Sequence, residues 1–426
     1  MKHPQMNNIN NTKTTPLLFK GLNRNVIIGD DELADGFNLD TKNLPAITPR
    51  LPMSVLGTLT APTQYGVVDG NHYYVNANKF YYGGVEKLTL TGGRKSIVDF
   101  NGNLVIFPDK KFYNWQDDTS GTFTSPDVDY AVVHYNRIFG IKDNYVNACK
   151  VGDFKVWDEF EGTEMDSWSA DVYSDGVFTA IASYQDHVIF FKKNLMYELY
   201  GYTPSQFKIM ESSKIGCISQ DSIAEVRGVL YFANEDGIQT YSGGFPRNMS
   251  EKLNIKNLNN AVAVSANGNY YVAIDDVTYI YDMPREAWLP YINKGAIDFA
   301  MHGTNIIMLG KDKKAYILER GTEPVMWSAT TKNFDGGMFN KKYPKSIKLR
   351  AKLEKGTEIK IYICYNESEN FELVKHIRHT DKYHIDSRDI RTILHLKRCS
   401  NYQLKIEGRG KVVVYGEIDM LIGSDI

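Results

Sequence analysis

Short apolar runs without alternation recur along most of the chain: HYYV (72–75), LVIF (104–107), RIFGI (137–141), HVIFF (187–191), VLYFA (229–233), YYVAI (270–274) and IIML (306–309). A second, aromatic-bearing run follows each within a few residues: KFYYGG (79–84), KFYNW (111–115), YVNAC (145–149), LMYELYG (195–201), GIQTYSGG (237–244), VTYIYD (277–282) and KAYILER (314–320). Four or five consecutive apolar residues suit a strand covered on both faces. Turn signals such as Gln185-Asp186 and Glu235-Asp236-Gly237 leave no room for helices between the runs. Anchored on Tyr73, Leu104, Ile138, Val188, Val229, Tyr270 and Ile306, the gaps are 31, 34, 50, 41, 41 and 36 residues. Their mean, about 39, lies near the period of four-stranded propeller blades. A large β-sandwich or barrel with regular hairpins is the alternative; period and count favour the propeller.

After Pro324 the pattern changes to alternation. SIKLRAKL (346–353), EIKIYICY (358–365), FELVKHIR (371–378), TILHLKR (392–398), YQLKIEG (402–408) and VVVYGEIDMLIG (412–423) read as strands with one wet and one buried face. The whole predicts an all-β chain: a six- or seven-bladed β-propeller over 54–324, a C-terminal β-sandwich over 325–426, and an extended N-terminal arm over 1–53. Residues 1–16 are polar and are expected to be mobile unless a partner orders them. Residues 17–53 are read either as an arm laid over the propeller or a neighbouring subunit, or as the strand that closes the ring. In the first reading Phe19, Lys20, Leu22, Arg24 and Ile27 are the candidate partner-binding residues: three apolar anchors, and two cations to pair with acids on the partner.

The chain has 426 residues, with 49 Lys plus Arg against 51 Asp plus Glu, and that near-balance argues against a bulk nucleic-acid binder. Cys149, Cys217, Cys364 and Cys399 have no CxxC or zinc spacing and read as small buried thiols. The N-terminus shows no apolar signal-peptide core and no stretch is long enough to span a membrane, so cytoplasmic synthesis is expected. The segment 151–176 carries Asp153, Asp158, Glu159, Glu161, Glu164 and Asp166 without calcium-loop spacing. It reads as a solvated loop pinned by Trp157 and Trp168. Asp282 is expected to accept backbone hydrogen bonds in the turn MPREAW, with Trp288 covering the strand end. His376, His379, His384 and His395 match no metal motif, and no cofactor is expected.

Several stretches resemble a β-propeller family of tailed bacteriophages and prophages, whose members are tail, stabilisation or nozzle-type proteins. YAVVHYNRIFGIKDNYVNACKVGDFKVW (130–157) resembles its Arg-bearing strand and "gdp…W" turn, with Phe154 replacing the usual proline and Trp157 matching the tryptophan. The stretch 179–250 resembles the family's core, 326–372 its domain-ending sandwich, and GLNRNVIIGDDELADGFNLD…LPAITPRLP its entry arm. The resemblance covers roughly two-thirds of the chain, and the order of the motifs is more specific than any one of them. It implies a non-enzymatic virion component made in the bacterial cytoplasm and resident in the tail. Copies of itself in a ring and other tail or portal-connector proteins would be its partners. Nucleic acid would meet it only as the genome passes through the assembled channel. The alternative is a propeller that recognises host-surface carbohydrate or another receptor. A sialidase-like glycosidase is disfavoured, because SADVYSDGVF (169–178) and NESENF (366–371) match its repeated turns poorly.

Overall fold

The structure, a computed structural model, describes residues 10–13, 19–335, 340–379 and 388–424. Among these the chain is all-β apart from three short 3-10 turns. Each of the seven paired apolar runs forms the two middle strands of a four-stranded antiparallel sheet. The sheets, numbered here 1 to 7, span 62–89, 96–122, 130–171, 178–213, 224–248, 262–292 and 296–317. The hairpins joining first to second strands are tight. Asp69-Gly70, Asn101-Gly102, Arg227-Gly228 and Asn267-Gly268 place both central residues at positive φ, the turn whose twist matches paired strands.

Apolar clusters join each sheet to the next. Val75 and Phe80 of sheet 1 pack with Leu104 and Ile106 of sheet 2. Phe107 meets Ile138, and Phe139 meets Phe190. Phe191 packs on Phe232, and Tyr231 on Tyr270. Sheets 6 and 7 share the largest cluster, and Ile307 and Leu309 of sheet 7 meet Tyr65 of sheet 1. The arrangement is thus a propeller-like ring. Sheet 7 receives only three strands from its own stretch, because the chain then leaves for the C-terminal region. Its fourth is Ser54–Thr58, paired antiparallel with Lys314–Ile317. Ring closure therefore lies just after the segment 17–53 in which it was sought.

The C-terminal region holds a five-stranded and a four-stranded sheet sharing one apolar cluster that includes Trp327, Ile347, Leu349, Ile361, Ile406 and Ile418. Five of the six alternating segments lie in strands close to their expected bounds. TILHLKR is displaced: the strand there is Arg388–Ile393. Met326–Phe334, not anticipated, is a central strand of the larger sheet.

The arm lies over sheet 6, one of the placements expected of it, where Leu22 bonds to Trp288, and it also joins the C-terminal sheets, which was not expected. Leu33–Phe37 pairs with Met326–Phe334, and Asn10–Lys13 pairs with Val412–Ser424, so the N-terminal segment edges both C-terminal sheets. Leu39–Asp40 and Thr48–Pro49 form a small hairpin tied to Val414 through Ile47. The reason is burial and backbone pairing. Leu33, Leu39 and Ile47 are each at most 3% exposed, and Leu33–Phe37 covers the open hydrogen-bonding edge of Met326–Phe334.

Candidate functional site

The five arm residues divide into two groups. Phe19 and Leu22 are buried in the cluster shared by sheet 6 and the C-terminal sheets, where no second chain can reach them. The Leu22 amide donates to the Trp288 carbonyl at 2.8 Å. Gly21 permits that approach, since it holds φ +122° and a Cβ there would lie 3.1 Å from the same carbonyl oxygen. The two cations find acids within the chain: Lys20 pairs with Asp31 at 2.5 Å and Arg24 with Asp35 at 2.6 Å. Arg24 also donates to the Tyr279 hydroxyl at 2.8 Å. Nearby intrachain carboxylates thus replace the expected partner acids.

Ile27 is different. It is 86% exposed, and Val26 beside it is fully exposed. These two aliphatic side chains cap a loop that is braced from below. Asn23 accepts from the Asn25 amide at 3.0 Å and donates to the Ile27 carbonyl at 3.3 Å and to Glu32 Oε2 at 2.6 Å. Glu32 also accepts from the Gly29 amide at 2.8 Å and pairs with Lys252 at 2.9 Å. Burial alone would raise the Glu32 carboxyl; Lys252, Asn23 and the Gly29 amide more than offset it and hold it below its ordinary value.

A second site lies on the ring axis. In a four-stranded antiparallel meander the start of the first strand lies at the same end as the second turn. At that end of the ring the links between sheets bring charged residues inward. Arg94, in the link to sheet 2, pairs through Nε with Asp221 at 2.7 Å, in the 3-10 turn before sheet 5. Its Nη2 reaches Asp298 of sheet 7 at 2.9 Å, and its Nη1 donates to the carbonyls of Thr63 at 3.0 Å and Ile297 at 3.2 Å. One guanidinium therefore ties together parts of the chain on opposite sides of the ring. Burial works against its charge, but Asp298 and Asp221 outweigh it and raise the Arg94 pKa. Burial pushes Asp298 upward against the pull of Arg94 and of the Tyr65 amide at 2.9 Å. Lys95 is buried beside Asp109 at 2.7 Å. A cavity of about 370 Å³ opens here between Gln64, Ser96, Tyr130, Gln220 and Asp221. The sequence reading missed this group. Its only trace is a charged residue on the approach to an inner strand, as in GGRKSIVDF and AIDFAM.

The acidic segment behaves as expected of an anchored loop. Trp157 is buried and its Nε1 donates to the Phe154 carbonyl at 2.6 Å. Trp168, half-buried, begins a strand and meets Phe207 edge-on. Asp166 departs from the solvated reading: it is buried and accepts from the amides of Gly162 at 2.6 Å and Thr163 at 3.0 Å. Arg137, fully buried, donates to the carbonyls of Cys149 and Glu164, each at 2.8 Å, and of Asp166. This residue lies in the Arg-bearing strand of the phage resemblance, and here it clamps the loop. Asp282 accepts from the Arg285 amide at 3.1 Å, and Trp288 is buried over the strand end.

All four cysteines are free and buried, and burial pushes the thiols of Cys149 and Cys217 up to about 12. His376 pairs with Glu358 on the surface, His379 is buried, His395 is exposed, and His384 lies outside the described residues. No group of three or more metal-ligating side chains occurs among the described residues, and no helix there is long and apolar enough to cross a membrane.

No family model matches the chain. No curated protein matches it either. Among solved structures it is similar to PorZ, a surface component of the type-IX secretion system of Porphyromonas gingivalis, at 10% identity and TM-score 0.43; the match covers 63% of this chain and 38% of PorZ. It is also similar to the extracellular domain of a putative one-component system from B. thetaiotaomicron, at 10% identity and TM-score 0.46, covering 90% of this chain and 61% of that one. The N-terminal domain of Nup159 aligns at 8% identity and TM-score 0.41, covering 64% of this chain and 94% of that domain. The first two matched chains are thus spanned over less than two-thirds of their length. No phage tail protein is among the three. At these levels the similarity concerns the arrangement of strands alone.

Proposed function

We propose that the chain is a non-enzymatic structural component of a phage tail or tail-like particle that works through protein–protein contacts. In this reading the seven sheets are the blades of a seven-bladed propeller, and the two C-terminal sheets form a β-sandwich completed by the N-terminal strands. The observation that supports it is the braced loop at Val26 and Ile27. Two largely exposed aliphatic side chains on a hydrogen-bonded loop base make an anchor that needs little further backbone ordering to dock on a protein. The family resemblance supplies the setting: neighbouring copies in a ring, with tail or portal-connector proteins above and below. The residence in the virion follows from the same reading.

The test is particle incorporation. Val26→Asp with Ile27→Asp should leave the circular dichroism spectrum and melting temperature of the isolated chain unchanged, because neither side chain is packed. Negative-stain images of particles from cells carrying the variant, labelled on this chain, should then lack the label seen with the natural sequence. Normal incorporation of the folded variant would remove the loop from the interface. A tagged natural chain that never co-purifies with particles would overturn the tail assignment itself.

A further inference from the structure

We propose that the axial cavity beside Arg94 is a binding site for an uncharged, hydroxyl-rich ligand, a neutral saccharide unit, independently of the tail assignment. The argument begins with charge. Every ionic group around the cavity already faces its opposite. Arg94 is engaged by Asp221 and Asp298, Lys95 by Asp109, and Asp129 by Lys142 at 2.9 Å. The cations are also saturated with neutral acceptors: Lys95 donates to Thr91 Oγ1 at 2.6 Å and the Gly92 carbonyl at 3.2 Å, and Arg94 to two carbonyls. An anionic ligand would find no spare cation, and a cationic one no carboxylate without a partner. An anion would have to draw Lys95 out of its desolvated pair with Asp109 or Arg94 away from its two carboxylates, which is costly, and a cation would meet only carboxylates whose charge Arg94 or Lys142 already neutralises.

Polarity then excludes the apolar ligands. The wall is made mostly of amide, hydroxyl, phenol and carboxylate groups. Several of their hydrogen-bonding positions have no protein partner among the described residues. Gln64 uses Oε1 for the Lys95 amide at 3.3 Å, which leaves its Nε2 donor open. Ser96 Oγ accepts from the Ala131 amide at 2.9 Å, which leaves its hydroxyl hydrogen open. Asp221 uses Oδ2 for Arg94, which leaves Oδ1 as an acceptor. Tyr130 adds a hydroxyl and a ring face. Burial and then Asp221 and Asp129 push its phenol upward. Open donors and acceptors beside an aromatic wall, in a cavity within the size range of small-molecule sites, match the pattern of a sugar's hydroxyls. Arg94 acts as a positioning residue that fixes Asp221 by ties it already makes.

The experiment uses the full chain on an array of neutral glycans with their uronic-acid counterparts, followed by calorimetric titration of the best neutral hit. At least one neutral saccharide should bind saturably, and its uronic-acid counterpart should bind at least about tenfold more weakly. Gln64→Ala and Tyr130→Phe should each weaken the neutral hit by about tenfold, the effect of one lost hydrogen bond with an unpaired partner. Neither side chain hydrogen-bonds Arg94, so Tyr130→Phe should melt like the parent, and Gln64→Ala, which gives up only the long bond from the Lys95 amide, should stay folded with at most the small loss of one hydrogen bond. No saturable neutral binder, equal binding of the uronic acid, or unchanged binding by both folded variants would each overturn the proposal.

Discussion

The strand His187–Lys192 in the ring is buried at every position, whereas Tyr402–Arg409 in the C-terminal region alternates buried and half-buried along most of its length. Both are central strands of antiparallel sheets. What differs is the neighbourhood. Phe190 faces sheet 3 and Phe191 faces sheet 5, so both faces of the ring strand meet apolar partners. Ile406 and Leu404 face the second C-terminal sheet, while Lys405 and Glu407 pair with each other on the opposite face. Hydrophobic pattern therefore reports how many layers flank a sheet.

The largest test of this contrast removes an edge from each region separately. Deleting 1–50 takes away the strand Leu33–Phe37 but keeps Ser54–Thr58; deleting 1–60 takes both. The shorter deletion should leave the ring cooperatively folded while loosening the C-terminal sheets. The longer one should also loosen the ring at its closure, since sheet 7 then has three strands and sheets 7 and 1 keep their apolar contact but lose the chain link through Ser54–Thr58. Deleting only 1–24 removes Asn10–Lys13 and the buried Phe19 and Leu22, so it should loosen the C-terminal sheets less than the 1–50 deletion does and leave the ring closed. Hydrogen exchange resolved by region measures all three. A closed, protected ring in the 1–60 deletion would sink the role given to Ser54–Thr58.

Next in size are neighbouring core truncations. Phe190→Ala and Phe191→Ala should each cost about 3–5 kcal/mol, because adjacent ring residues are both fully buried. In the alternating region the same one-residue step should change the outcome. Leu349→Ala should cost about 2–5 kcal/mol, but Lys348→Ala only about 0–1 kcal/mol, since that side chain is exposed and its pair with Asp389 is on the surface. Denaturant unfolding gives these values. A mild Phe191→Ala would mean that one face of the ring strand is not packed.

These residues also show what was legible in advance. The middle strands of the ring sheets stood out by their apolar runs, and the second strands of sheets 2 to 7 are almost wholly buried as such runs demand, although in sheet 1 only Val75 of Asn71–Asn76 is. The outer strands did not stand out. Val85–Thr89 and Thr119–Thr122 are largely exposed and carry no periodic signal. Met326–Phe334 was missed because buried Thr330 and Thr331 look polar in sequence, although the Thr331 hydroxyl accepts from the Leu404 amide at 3.1 Å. The exposed tip at Ile27 was within the anticipated segment, yet Phe19 and Leu22 read the same way and proved to be core. Only tertiary structure distinguishes an anchor for this chain from an anchor for another. The axial group stayed hidden because Arg94 and Asp221 come from two links and Asp298 from a strand of sheet 7, all distant in sequence.

A smaller effect separates the regions by pH. Burial holds the His134 and His72 imidazoles of the ring below the ordinary value of 6.5. Below that pH the unfolded chain takes up protons that the folded ring refuses, so ring stability should fall as pH drops from neutrality through the histidine range. In the C-terminal region Glu358 is held below its ordinary 4.5, chiefly by His376 and further by Arg378. A depressed carboxyl contributes above its unfolded value and loses that contribution as pH falls through the folded one. This second loss should therefore begin only below about 4.5. Region-resolved hydrogen exchange across this range should show the ring loosening first. Simultaneous loosening, or loss from the C-terminal sheets first, would contradict these histidine assignments.

The smallest expected effect concerns the acidic loop, which belongs to neither strand pattern. Asp158, Glu161 and Glu164 project outward, and Glu159 makes a partly exposed pair with Lys150. Loop shape instead rests on neutral contacts and on two buried groups. Trp157 fills the pocket between sheets 2 and 3, Arg137 holds the loop carbonyls of Glu164 and Asp166 as well as that of Cys149, and Asp166 collects two amides. Replacing Asp158, Glu159, Glu161 and Glu164 together by their amides removes charge but leaves every one of those ties, including the Glu164 backbone carbonyl that Arg137 uses. The melting temperature should shift by no more than a surface ion pair's worth, about 0–1 kcal/mol in stability. Asp166→Asn, one substitution instead of four, should cost more, because it weakens a buried acceptor of two amides. If the fourfold amide variant were the more damaging of the two, the loop would depend on its surface charge, and its assignment as a passively anchored segment would fail. The same comparison bears on chemistry: loss of a hydrolytic activity in the fourfold variant, with the fold intact, would replace the structural reading of this loop by a catalytic one.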